Sequence, residues 1–557
     1  MPPPLHALAA ALGLSLAAET PARTVPADLV VRGARIYTAA GKHPRAEAMA
    51  VRGGRIVAIG DRREVDPWVG PGTRVWDLEG RTVLPGLIDS HGHVYNLGAS
   101  LENVRLAGTA FYDEVIARVV ERARTTPAGE WIEGRGWDQN DWPLTAMPQH
   151  QALSRATPDH PVFLVRVDGH AALVNRRALE IAGVTRATPD PSGGTIERDA
   201  AGEPTGVLVD GAMALVRGHI PPATAAQIER RLGAALAECA RYGLTMVHDA
   251  GIGPEALAAY RALEARGELP IRIYAMARAG TGLDRELLAR GPEDGDRLSL
   301  RAIKVVMDGA LGSRGALLSA PYSDRPGHVG LETFPFDSLV AIARAAIARG
   351  VQVRVHCIVD LANTRTLDAF ERAFGGRPHP EARWAIEHAQ VVRPEDVRRF
   401  ARLGIVASMQ ATHATSDGPW AEERLGPERV KWSYAWRQFL RAGVRFTNGS
   451  DFPVEDPNPL LGLYAAVTRR DLAGKLPASG WRPKERLTRD EALASFTLWG
   501  AWTAFHERDL GSLERGKLAD FVVLDRDVIG GPAEEIPGAK VLRTVVAGST
   551  VYEAAED

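Results

Sequence analysis

The feature that most constrains this chain is an alternation running through its middle. Eight short β-rich runs occur in order: "GLIDSH", "LTMVHDA", "IRIYAMA", "RAIKVVMDG", "QVRVHCI", "RWAIEHA", "IVASMQ" and "RFTNGSD". From the second onward, Ala/Arg/Leu/Glu-rich stretches separate most neighbours. "SLVAIARAAIARG" is apolar at helical spacing and is closed by Gly350. Strands alternating with helices form a parallel sheet, and eight such units close into a (β/α)8 or TIM barrel. The expected fold class is therefore α/β. The first gap breaks the rhythm, because residues 94–243 separate "GLIDSHGH" from the second run. A structureless loop of that size is out of proportion. It has its own strand-like run, Val162 to Val167, and reads as a large insertion after strand 1, a subdomain at about 100–240 over the barrel mouth.

The two ends read alike. "ADLVVRGARIYT", "AMAVRGGRIVAIG" and "TRVWDLEGRTVLPG" near the start match "GKLADFVVLD" and "KVLRTVVAGSTVYE" near the finish in strand length and Gly punctuation. Both ends are expected to build one small β-sandwich domain from residues 27–84 and 510–557, leaving 85–509 for the barrel. Residues 1–26 stand apart. Leu5 to Ala18 is an apolar run of signal-peptide length and Ser15-Leu16-Ala17 resembles a cleavage site, yet Met1 to His6 has no Lys or Arg. A signal peptide would make the protein periplasmic or secreted; a disordered leader would leave it cytoplasmic.

Composition removes several function classes. Apolar residues are 45% and charged residues 24%, which excludes a disordered or fibrous chain. A net charge of −2 gives nucleic-acid binding no electrostatic support. No apolar stretch beyond the N-terminus is long enough for a membrane span. The two cysteines, Cys239 and Cys357, read as buried thiols rather than a disulfide framework. The expected partner is a small-molecule substrate, with a homodimer as the candidate assembly.

Chemistry concentrates at the ends of the β-runs. His91 and His93 lie two apart on the first strand, so both can aim at one metal. Lys304 sits inside an apolar run, where an ammonium is costly unless paired. His356, His388 and Asp451 each fall near the C-terminal end of their runs, where barrel active sites are assembled.

These residues, with "LPGLIDSHGHVYNLG", "VDGHAALVN", "KVVMDGALGSR", "VHCIVD", "IEHAQ", "SMQATH", "NGSDFPV" and "GSLERGKLADFVVLD", resemble the metal-dependent amidohydrolase superfamily. The resemblance is to amidohydrolase family 3, which includes N-substituted formamide deformylases, and runs from Asp28 onward. It implies a binuclear site for two divalent metal ions, with zinc the expected metal. His91, His93 and Asp451 would bind the first ion, and His356 and His388 the second. Lys304, carboxylated by carbon dioxide, would bridge them. The implied mechanism is hydrolysis by a metal-activated hydroxide, with Asp451 moving the proton to the leaving nitrogen. Val359 and Ala411 depart from the usual Gly and Pro of the family, which leaves the ligands intact but alters two loops.

Further candidates are weaker. His170, in "VDGH", is a candidate catalytic contact to the oxyanion or leaving group. Arg314, Gln410, His413 and Trp137 are substrate-binding candidates, and Trp142 is a second candidate for an apolar wall. The expected activity is hydrolysis of non-peptide carbon–nitrogen bonds in amides, N-substituted formamides or cyclic amides. Lactone, ester or phosphotriester hydrolysis, or deamination, stays open on the same fold. Deamination is disfavoured because Cys357-Ile358-Val359-Asp360 offers no Glu soon after His356. A non-catalytic scaffold is disfavoured because all six ligand positions are filled.

Overall fold

The computed structural model describes residues 25–41, 44–139, 142–143, 147–166, 171–191, 194–312 and 314–555. The eight expected runs are all strands, labelled here β1 (Leu87–Gly92), β2 (Leu244–Ile252), β3 (Arg272–Arg278), β4 (Leu298–Val306), β5 (Gln352–Cys357), β6 (Ala385–His388), β7 (Val406–Gln410) and β8 (Phe446–Gly449). Each pairs in parallel with its neighbour in chain order. Their near-continuous burial fits a parallel sheet covered on both faces.

The ends of this sheet meet through polar groups. Asp451 N donates to His91 O at 2.7 Å. The Asp89 carboxylate accepts from Ser450 Oγ at 2.6 Å and from His91 N at 3.0 Å. The barrel is thereby nearly closed. Helices cover it as the sequence predicts. The helix Phe336–Arg349 buries Leu339, Val340, Ala343 and Ala346 and stops where Gly350 takes φ 67°. That left-handed conformation favours glycine.

The two chain ends interleave. Strands Arg55–Gly60, Ala48–Arg52, Leu29–Arg32 and Arg74–Asp77 form one sheet. Ser549–Glu553, Val541–Val546, Phe521–Leu524, Thr82–Pro85, Arg35–Tyr37 and Arg45–Ala46 form a second. Phe521–Leu524 pairs antiparallel with Thr82–Pro85, which ties the C-terminal end to the N-terminal one. Leu29, Val31, Met49 and Val51 of the first sheet share a core with Ile36, Phe521, Val523 and Val545 of the second.

Between β1 and β2 the chain forms a six-stranded sheet, in the order Gly194–Arg198, Pro204–Asp210, Ala171–Val174, Val162–Arg166, Ile132–Trp137, Val104–Arg105. Here one expectation is corrected. Trp137 is not a substrate wall: it is fully buried, and its Nε1 donates to Leu164 O at 2.8 Å. Its ring stacks on Trp142 at 6.1 Å, among Val115 and Val119 of the helix Tyr112–Ala123. Both tryptophans face the helix that covers this sheet, so they fill the core of the insert. His170 and the first 24 residues lie outside the described residues. Among the described residues, no helix is long and apolar enough to cross a membrane.

Candidate metal centre

The parallel register brings the ligand candidates to one end of the barrel. Lys304 is the register partner of Arg278, His356 of Val306, and His388 of Cys357. Together with His91 and His93 at the end of β1 and Asp451 just past β8, they converge. His93 Nε2 is 3.1 Å and His91 Nε2 3.4 Å from Asp451 Oδ1. Lys304 Nζ is 3.4 Å from His91 Nε2. The His388 ring lies 4.8 Å from that of His91 and 4.4 Å from that of His356. His388 and Asp451 adopt positive φ, 73° and 60°, which turns each side chain back over the barrel end. Such backbone is uncommon outside glycine, and strained residues of this kind cluster at functional sites.

The donor set fits divalent metal ions. Ligand atoms of His91, His388 and Asp451 lie within 4.8 Å of one another. His356 and His388 present lone pairs rather than protons. Burial, followed by the charge of Lys304, pushes His356 down to about 3, and burial with His356 nearby holds His388 well below the usual range. His388 Nδ1 donates to Gln410 Oε1 at 2.8 Å, since an amide oxygen only accepts, which leaves Nε2 for a metal. Burial also lowers the Lys304 amine. Burial alone would raise Asp451, but hydrogen bonds from His91 and His93 hold it well below the carboxylate range.

A buried support stands behind these ligands. His91 Nδ1 donates to Glu387, and Glu387 also accepts from Arg354 Nε. Arg354 then reaches His248 Nδ1 at 3.0 Å, Ser408 Oγ at 3.0 Å and Ser90 O at 3.2 Å. Arg354 and Glu387 are both fully buried. Burial would raise Glu387, but Arg354 and then His91 keep it ionised. A carboxylate behind a metal-binding histidine fixes its tautomer and raises its basicity. Asp308 plays a related structural part. It accepts from Ile358 N at 2.9 Å and Leu317 N at 3.1 Å, tying the loop after β4 to the end of β5, and burial pushes its carboxyl up to about 7. Sequence reading missed Glu387, Arg354 and Asp308, although each is a charged residue within or next to an apolar strand.

The weaker candidates separate. Gln410 is buried and orients His388, so it is a support and not a contact to substrate; the strand turns its amide inward. His413 accepts at Nδ1 from Gln390 at 3.2 Å, and its Nε2 lies 3.8 Å from Asp451 Oδ2, so it borders the centre. Arg314 is held by Asp324 through contacts of 2.6 and 3.1 Å and does not line the cavity; its charge is already matched. That cavity, of about 650 Å³, is walled by Tyr95, Ile228, Arg278, Lys304, His356 and Asp451 among others. Pro222, Ala223 and Ile228, on the chain returning from the insert, line it, whereas the insert's sheet does not among the described residues. Its size suits a small molecule.

Known proteins resemble this chain over most of its length. The sequence model of the amidohydrolase family matches residues 74–552. The Arabidopsis thaliana protein LONG AFTER FAR-RED 3 is 36% identical over 96% of this chain and 93% of its own length. The N-substituted formamide deformylase of Arthrobacter pascens is 29% identical over 94% of this chain and 98% of its own. Among solved structures, an uncharacterized metal-dependent hydrolase from Pyrococcus horikoshii superposes with a TM-score of 0.76 at 30% identity, covering 91% of this chain and 99% of that one. With the family match running through the whole barrel and the C-terminal strands, the chain belongs to the amidohydrolase family of metal-dependent hydrolases that act on carbon–nitrogen bonds.

Proposed function

We propose that this protein hydrolyses the C–N bond of small amides or N-substituted formamides at a two-metal centre. The observation that carries the reading is the convergence of His93, Lys304, His356, His388 and Asp451 on one cavity at the barrel end, with His91 buried against Lys304 and Asp451. His91, His93 and Asp451 would hold one ion, and His356 and His388 the other. Lys304 would bridge them as its carbon dioxide adduct, which replaces a repelling ammonium by an anion. Zinc suits this imidazole and carboxylate set. When bound, the ions would lower the pKa of water and polarise the carbonyl.

The remaining steps belong to the chain. Asp451 accepts the proton from the attacking water and passes it to the leaving nitrogen. Glu387 holds His91 in one tautomer, and Gln410 does the same for His388. His413, beside Asp451, and His170 are candidates for contact with the leaving group. The barrel at about 85–509 carries the chemistry, with the units at 27–84 and 510–557 and the insert at about 100–240 as its support. The test is hydrolysis of a panel of formamides, N-acyl amino acids, cyclic imides and lactones by zinc-loaded protein. Turnover of C–N substrates that stops on chelation and returns with metal supports the reading. Turnover of lactones alone would replace it with an ester hydrolase.

A further inference from the structure

The cavity wall carries a cation that nothing around it neutralises. Among the described residues, the Arg278 guanidinium makes no ion pair and no side-chain hydrogen bond. It is also exposed, whereas the six residues before it in β3 are buried. Arg314 is matched by Asp324, Arg272 by Asp520 and Arg354 by Glu387.

Its position ties it to the metal centre. Arg278 is the register partner of Lys304 on the adjacent strand, and adjacent strands run about 4.8 Å apart. On the other side, β2 bulges between Ala250 and Ile252, where Gly251 takes φ 98°. A Cβ there would lie 3.5 Å from Lys304 Cγ and 3.8 Å from Arg278 Cβ, so both stems border the same glycine-lined gap. The carboxylates of the cavity are otherwise engaged or too distant. Asp249 accepts from Tyr260 OH at 2.6 Å and from Val94 N at 3.2 Å. Asp451 is held by His91 and His93. Glu255 forms no ion pair with Arg278. The neighbouring walls are apolar, from Ala223, Ile228, Val306 and Val454.

An unmatched guanidinium beside a cation-binding centre focuses positive potential into a partly enclosed space. Its planar fork fits a carboxylate through two parallel hydrogen bonds. We infer that Arg278 binds a carboxylate of the substrate, so that the preferred substrates are N-formyl or N-acyl amino acids with the acid group a few bonds from the scissile C–N bond. The role that the sequence suggests for Arg314 thus falls to Arg278. The inference rests on the amide-hydrolase reading for the bond that is cleaved, but not for the anion site.

Two measurements on zinc-loaded, full-length protein test it separately. Calorimetry compares glutarate with butyrate, a pair differing by a second carboxylate. Glutarate is expected to bind at least tenfold tighter to the wild type, with the ratio falling to within twofold in Arg278→Gln and to an intermediate value in Arg278→Lys. Kinetics then compare N-formyl amino acids with their methyl esters, and the acid-to-ester ratio of kcat/KM should drop at least tenfold in Arg278→Gln. Equal glutarate preference in wild type and Arg278→Gln overturns the inference whatever the kinetics show. A preference that the variant loses, in a protein that cleaves no C–N substrate, keeps the anion site and overturns the amide-hydrolase reading. Because the Arg278 tip touches no buried partner, the variant's fold is checked simply by its metal content.

Discussion

Two buried regions of this molecule, the barrel mouth and the inserted six-stranded sheet, are filled by different chemistry. At the mouth, His91, Lys304, Arg354, Glu387 and His388 are almost completely shielded from solvent, and each polar tip meets another. In the insert, Trp137, Trp142, Leu164 and Val119 pack with little polar content beyond two indole N–H groups, which donate to backbone carbonyls. The first region is costly to bury and is held by mutual pairing. The second is held by removing apolar area from water. The difference teaches which substitutions reach the chemistry and which reach only the fold.

The comparison can be broken by mutation, taking effects on the metal centre from largest to smallest. Lys304→Ala should release most of the metal and lower kcat/KM about a thousandfold, equivalent to several kcal/mol of barrier. Elemental analysis beside kinetics reads both, and two retained ions with normal turnover would show that the lysine is no ligand. Arg354→Met leaves Glu387 buried without its main counter-charge. Its expected cost is about 3–5 kcal/mol of stability, measured by urea unfolding of apoprotein. Glu387→Gln keeps the shape but removes the charge behind His91, so metal affinity should fall about 10- to 100-fold by competitive chelation. An unchanged affinity would mean that His91 needs no oriented partner. Trp137→Ala should cost about 3–5 kcal/mol from the cavity it leaves, with metal content unaltered. If metal is lost as well, the insert and the mouth are one cooperative unit and the contrast drawn here fails.

Much of the mouth was legible in the sequence because two signals coincide there. β-rich runs gave all eight barrel strands, and a titratable residue at the C-terminal end of such a run is rarely idle. Lys304 was recognised because an ammonium inside an apolar strand needs an explanation. The same rule applies to Arg354 in "QVRVHCI" and Glu387 in "RWAIEHA", and would have found both. What the rule could not supply was direction. Whether Gln410 turns toward substrate or toward His388 depends on one strand-end orientation, and pattern alone does not fix it. Trp137 failed for a similar reason. Alternation along Ile132–Trp137 says that its two faces differ, but only the helix Tyr112–Ala123 decides which face is interior. Arg278 and Arg314 look equivalent in one dimension, and only the presence of Asp324 beside one of them separates their roles.

The polar closure between the first and last barrel strands bears on how the protein is made. Asp89 and Ser450, the pair that fastens it, are 361 positions apart in the chain. A ribosome delivers residues in order, so His91 and His93 emerge long before Asp451 exists. Until then the early histidines have neither their carboxylate neighbour nor the walls of the barrel. On the two-metal reading, metal capture would follow the eighth strand rather than nucleate early, and a chain stopped short of that strand would lack a complete first site. With the proposed ligands at opposite ends of a long contour, metal content would report on whether translation ran through the barrel.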